Sequence, residues 1–271
     1  MVNDITQIIY DDRVDDYFIR LEPQLTFDSY YDKYGDDIAS WYEEGKVIIM
    51  DKPPMKFDLE LFLRVNFPYQ DRRFKKLKDR ELGSKKSPHT ETLFSGNVRL
   101  AKDFEKEASV CTVKLKAAAK SLYPKYEFTK IDCTWRFSVT HTEDMHLDLF
   151  GKLYYDHMVR LFWNVDSYPR IWMVGQHISQ IVKSKNINIK YDHPQELNKF
   201  INHHYLGETQ GLKPTKEPYH ILIIPSGSMM MVHTQKIPHC PIIGRRLSGL
   251  TCFVKPDTMV HPDQLFANFG R

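Results

Sequence analysis

From Phe128 to Val254 the chain is cut into short apolar runs, each just long enough for a strand, and this limits the possible folds more than any other feature. The stretch 128–139 carries Ile131, Trp135, Phe137 and Val139. Further runs follow around His146 and at 158–165, 170–174, 220–224, 228–233 and 247–254. They are rich in β-branched and aromatic residues and lie at the spacing of a meander, interrupted by two helical stretches at 178–184 and 195–205. Strands this short bury their apolar sides by closing over one shared interior.

The first half of the chain reads differently. Residues 1–38 are rich in Asp and Tyr without a sustained period, and suggest short elements wrapped around the core. A helix ends near Gly45, a strand follows at 46–50, and Pro53-Pro54 closes it. Asp58 then caps a helix whose apolar face is Leu59, Leu61, Phe62 and Val65. The clearest helix runs from 97 to 123, with Phe104, Ala108, Cys111, Leu115, Ala118 and Leu122 at three- and four-residue steps and Pro124 as its stop. With one apolar face, it should buttress one side of a sheet. The fold expected is therefore mainly β with flanking α-helices, around a jelly-roll, cupin-like core of the double-stranded β-helix kind. The 271 residues fit one domain, with 1–126 as N-terminal elements, 127–256 as the core and 257–271 as a tail.

Charge and composition exclude several classes of function. A formal charge of +3 does not by itself point to nucleic acid, and no apolar run is long enough to span a membrane. The N-terminal residues lack a signal-peptide pattern, so a cytoplasmic location is expected. Cys111, Cys133, Cys240 and Cys252 form no Cys-x-x-Cys pair and read as reduced, structural thiols. The basic run at 72–86 contains Arg72, Arg73, Lys75, Lys76, Lys78, Arg80, Lys85 and Lys86 but only Phe74 for stacking. It is a poor nucleic-acid site and reads either as a solvated loop or as an anion-binding flap.

The chemistry centres on His146-Leu147-Asp148. On an extended segment, residues two apart project to one face, so this imidazole and carboxylate can share an ion. A third ligand is available downstream, where His233 and His239 are both candidates. Two histidines and one carboxylate with open positions form the facial triad of non-haem Fe(II) oxygenases.

The downstream order also resembles the second half of a 2-oxoglutarate dioxygenase jelly roll: turn at 225–228, apolar strand, His, strand, Arg-x-Ser. The resemblance selects His239 as the distal ligand and leaves His233 as a neighbouring or core histidine. It implies that Arg246 and Ser248 bind the far carboxylate of the co-substrate, a task suited to a guanidinium. Arg245, Arg160 and Asn164 are further candidates. Arg160 lies in a run fit for burial, so it is either such a cation or half of a buried ion pair.

Three blocks are more specific: His146-Leu147-Asp148-Leu149-Phe150, Val159-Arg160-Leu161-Phe162-Trp163-Asn164-Val165 and Pro169-Arg170-Ile171-Trp172-Met173-Val174-Gly175. They are similar to successive blocks of the Kdo 3-hydroxylase family, over about residues 40 to 255. That resemblance implies Fe(II), 2-oxoglutarate and O2, with ascorbate as a candidate reductant. It also implies a glycolipid or small-molecule substrate, namely the 3-deoxy-octulosonic acid sugar of lipid A, and hence peripheral contact with the inner membrane. Free amino acids and natural-product intermediates are alternative substrates, and a non-catalytic cupin-like metal protein is the alternative function.

Overall fold

Two sheets face each other across the interior of the computed structural model, which describes residues 4–65, 75–78, 93–137, 144–149, 157–185, 194–206 and 217–265. The elements are β1 (Gln7–Ile9), β2 (Phe18–Arg20), α1 (Phe27–Tyr34), α2 (Asp37–Glu43), β3 (Val47–Met50), α3 (Leu59–Leu63), β4 (Lys75–Lys78) and α4 (Val98–Leu122). They continue as β5 (Phe128–Phe137), β6 (His157–Asn164), β7 (Arg170–Gly175), α5 (Ile178–Lys185), α6 (Pro194–Leu206), β8 (Tyr219–Ile224), β9 (Met229–Met231), β10 (His239–Ile243) and β11 (Arg246–Val254).

The larger sheet has the order β2-β3-β9-β6-β11-β5-β4 and the smaller the order β1-β8-β7-β10. Apart from the parallel pair β2 and β3, neighbouring strands are antiparallel. The chain crosses repeatedly between the sheets: β5 and β6 lie in the larger, β7 and β8 in the smaller, β9 in the larger, β10 in the smaller and β11 in the larger. This is the double-stranded β-helix expected from the strand pattern.

Period-two alternation sorts the side chains of the larger sheet onto two faces. Val159, Leu161, Trp163 and Val165 of the β6 segment, Cys133, Trp135 and Phe137 of β5, and Leu250, Cys252 and Val254 of the β11 segment all pack outward. There they meet Phe104, Ala108, Cys111, Leu115 and Ala119 of α4, the buttressing helix. The Trp135 indole donates to Thr112 Oγ1 at 3.1 Å, which satisfies a buried N–H at that contact. Phe162 and Leu247 point the other way and pack with Trp172, Val174, Leu222 and Ile224 of the smaller sheet.

The expected boundaries of α4 and the strands from β5 onward hold to within a few residues. Asp58 caps α3 through its side chain, as expected, and the turn that closes α2 passes through Gly45, whose φ of +83° is left-handed. A Cβ at Gly45 would lie 2.6 Å from His177 Cδ2, so the close approach of that ring also requires glycine. Of the basic run 72–86, only β4 lies within the described residues. It pairs with β5 at the edge of the larger sheet.

Candidate metal centre

His146 and Asp148 do not sit on a regular strand within the described segment 144–149. A single antiparallel bridge joins His146 to His239, through His146 N to His239 O at 3.1 Å and the reverse bond at 3.0 Å. Further fixed bonds replace the ladder. Asp148 N donates to Thr234 O at 2.9 Å, and the Asn198 amide of α6 both accepts from Leu147 N at 2.8 Å and donates to Leu147 O at 3.0 Å. The alternation survives: Met145 and Leu147 enter an apolar cluster with Ile178, Ile181, Leu197 and Ile201 of α5 and α6. Anchored from behind in this way, His146 and Asp148 turn to the interior.

The interior side holds His146, Asp148 and His239 with ligand atoms all within 4.8 Å of one another. His146 Nε2 is 3.9 Å from one Asp148 oxygen and His239 Nε2 is 3.8 Å from the other. These separations are too long for hydrogen bonds. Two atoms each about 2.1 Å from a common ion lie at most about 4.2 Å apart, so the gaps suit a shared metal.

The ring tautomers agree with this. His146 Nδ1 is 2.6 Å from Asp144 O, and His239 Nδ1 is 3.2 Å from Ile237 O. A carbonyl oxygen can only accept, so both Nδ1 atoms carry the proton and both Nε2 atoms present a lone pair to the gap. Burial, with His146 alongside, brings the His239 imidazole down to about 3, so it is neutral at physiological pH. Burial alone would push the Asp148 carboxyl up, but neighbouring positive charge, the Arg160 guanidinium foremost and Arg136 farther off, outweighs it and holds that carboxyl well below the usual range. The donor set is thus two imidazoles that turn Nε2 to the gap and one carboxylate, a set that a divalent cation can take up.

A wall of side chains backs the site. Trp172 stacks on His239 at 5.3 Å between centroids with 17° between planes, and Phe162 meets Trp172 edge-on at 4.8 Å. The Arg160 guanidinium lies over Phe162 at 5.0 Å and donates from Nη1 to Asp148 Oδ2 at 2.6 Å. Arg160 is therefore the buried ion-pair partner that its sequence context allowed.

The other expected co-substrate residues stand elsewhere. Arg246 and Ser248 belong to the outward face of β11, beneath α4. Arg246 donates to the carbonyls of Phe62, Leu63 and Val65 at 2.8, 3.0 and 3.1 Å and pairs with Asp166 at 3.0 Å. Ser248 Oγ lies 3.5 Å from Cys133 Sγ on that same outer side. Arg245 pairs with Asp166 and lies over Tyr168 at 4.1 Å. Asn164 is occupied by the carbonyls of Tyr168, Ile224 and Pro225. His233 is fully buried and stacks on Tyr42 at 5.0 Å, the core role expected of it.

Sequence reasoning did not single out Arg136, Arg170, Trp172 or Asn198. Arg136 alternates with the outward Trp135 and Phe137, which places it on the interior face. Arg170 shares its strand face with Trp172 and Val174. Counting in twos from these aromatic residues would have found both arginines, whereas nothing in the helical pattern marks Asn198.

No protein-family model and no curated protein matches the chain by sequence. Solved structures match it by fold. The Kdo hydroxylase KdoO, a non-heme Fe(II) alphaketoglutarate dependent dioxygenase, in complex with cobalt(II), superposes with a TM-score of 0.65 at 16% identity, covering 93% of this chain and 94% of that one. Its complex with alphaketoglutarate and Fe(III) gives the same TM-score, identity and coverage. The complex with succinate and Fe(III) gives a TM-score of 0.63 at 16% identity. The chain therefore has the double-stranded β-helix fold of KdoO along nearly its whole length.

Proposed function

We propose that this protein is an Fe(II)/2-oxoglutarate-dependent oxygenase that hydroxylates an unactivated C–H bond, with an anionic sugar acid of the Kdo type as its substrate. The observation that carries the reading is the convergence of two Nε2 lone pairs and one ionised carboxylate on one gap inside this fold. Likeness in fold to an enzyme of that class supports it.

His146, Asp148 and His239 would hold the iron, leaving its other positions to co-substrate and O2. When bound, iron supplies the coupled oxidation of 2-oxoglutarate and substrate by O2. The protein's own part is positioning. The bonds from Asp144, Ile237, Thr234 and Asn198 fix the ligand segment, and Phe162 and Trp172 give the interior a dry wall. The far carboxylate of 2-oxoglutarate needs a cation on the same face. Arg136 and Arg170 meet that condition, whereas Arg246 does not.

An anionic substrate fits the sheet edge beyond the site. The register sets Lys76 of β4 opposite Arg136 of β5, so part of the basic run 72–86 lies beside an arginine whose charge reaches Asp148. The cationic surroundings favour a carboxylate- or phosphate-bearing target over a neutral one.

The test has two arms. Succinate formation from 2-oxoglutarate should require iron and O2 and should fall by more than about 100-fold in Asp148→Ala, beyond the range for residues that only support ligands. Iron-independent turnover, or unchanged turnover in Asp148→Ala, contradicts the oxygenase reading. Expression in a bacterium lacking such a hydroxylase should then add one oxygen to the Kdo region of its lipopolysaccharide. An unmodified lipopolysaccharide from succinate-producing protein would redirect the substrate to free amino acids or natural-product intermediates.

A further inference from the structure

The two oxygens of Asp148 stand in different surroundings. Oδ2 accepts from Arg160 Nη1 at 2.6 Å and lies 3.8 Å from His239 Nε2, while Oδ1 faces His146 Nε2 at 3.9 Å. We propose that Arg160, bound to Oδ2, locks the rotation of the Asp148 carboxylate so that its two oxygens stay turned to His146 and His239 for a metal to enter; this rests on the reading of the triad given above.

The guanidinium is held firmly enough for the task. Tyr42, a fully buried phenol on α2, accepts from Arg160 N at 2.8 Å and donates toward Met158 O and Val232 O, at 2.8 and 3.0 Å. Val232 N in turn donates to Arg160 O at 3.2 Å. The Arg160 backbone is thus clamped where β9 leaves the sheet. Farther out, the guanidinium rests on Phe162, which abuts Trp172, which stacks on His239. One side-chain wall therefore supports two ligands at once: it sets the Asp148 carboxylate through Arg160 and the His239 ring through Trp172.

A charge-assisted bond of this length fixes both the plane and the rotation of a carboxylate. Without it, the Asp148 carboxylate would be free to rotate out of the gap between the two histidines. Arg160 is accordingly a positioning residue. It acts through Asp148.

The neutral variants separate positioning from plain charge. Arg160→Met and Arg160→Gln both remove the charge, so charge alone predicts that they bind metal alike. Positioning predicts that Arg160→Gln, which keeps a donor, binds more tightly than Arg160→Met. Cobalt(II) is titrated anaerobically into the full chain and followed by its visible absorption, in wild type and in Arg160→Met, Arg160→Gln and Arg160→Lys. The proposal expects 10- to 100-fold weaker binding and an altered cobalt spectrum in Arg160→Met, the range for partners that orient a ligand. Arg160→Lys and Arg160→Gln, each with a remaining donor, should recover part of the loss and serve if Arg160→Met does not fold.

Equal or tighter cobalt binding with an unchanged spectrum in these variants would overturn the proposal. So would unchanged metal binding with a raised KM for 2-oxoglutarate, which would make Arg160 a co-substrate anchor. Failure of the wild-type protein to bind cobalt would remove the triad reading itself, and this inference with it.

Discussion

Arg160 and Arg246 are both buried, lie on neighbouring antiparallel strands, and have opposite roles because they fall on opposite faces of one sheet. Arg160 points between the sheets and reaches Asp148. Arg246 points beneath α4, where it joins three carbonyls at the end of α3 to Asp166. The same division runs through the histidines: His239 turns its Nε2 to the triad, whereas His157 and His233 pack with Tyr42 on the outer side. In this fold the interior face carries the chemistry and the helix-covered face carries stability. Nearness in sequence to a ligand says little about which face a residue serves.

The division is sharpest at Arg246. Its removal leaves Asp166 and three carbonyls short of a partner, so Arg246→Ala should cost about 3–5 kcal/mol of stability. The loss would show as a lowered urea midpoint, and the folded fraction should bind cobalt as wild type does. A stable Arg246→Ala with a raised KM for 2-oxoglutarate would break the comparison and return Arg246 to the co-substrate.

A smaller effect is expected from acid. Burial brings His157 down to about 3 and holds His233 well below its ordinary value. In the unfolded chain both titrate near 6.5, so below that pH the unfolded state binds protons that the folded state does not. Stability therefore falls as the pH drops from about 6.5 toward 4. Each group contributes at most about 1.4 kcal/mol per pH unit, or about 3 for the pair. Urea midpoints of the metal-free protein at pH 7.5 and 5.5 measure this, and His157→Phe should flatten the dependence by about a quarter, because burial depresses His177 and His239 as well. An unchanged slope in that variant would mean that the outer histidines are not its source.

Ser248→Ala should do least. Loss of one weak contact to a buried thiol costs less than about 1 kcal/mol, and the KM for 2-oxoglutarate should not change. A several-fold rise in KM would place the hydroxyl back in the site.

The sequence shows the double-stranded β-helix because short β-rich runs, a single long amphipathic helix and stops such as Pro124 all agree. It also shows why His146 and Asp148 converge, since Met145 and Leu147 are apolar and take the opposite side. What it leaves open is which face of β6 or β11 is interior. Every residue of β6 is buried, as is nearly every residue of β11, and a strand buried on both faces has no polar alternation to mark the inner one. Arg246-x-Ser248 therefore reads as well for one face as for the other, and only the packing of Leu250 and Cys252 against α4 decides it. The bonds from Asn198 and Tyr42 were hidden for another reason: they join segments about 50 and 118 residues apart, where no local pattern reaches.

The most direct measurement of the central claim is an anaerobic titration of the metal-free chain with Fe(II) or cobalt(II), comparing wild type with His146→Ala, Asp148→Ala and His239→Ala. The account predicts one ion per chain in wild type, with binding weakened more than about 100-fold in each variant and unchanged in His233→Ala. Wild-type stoichiometry and affinity retained in Asp148→Ala, or lost in His233→Ala with the fold intact, would contradict it.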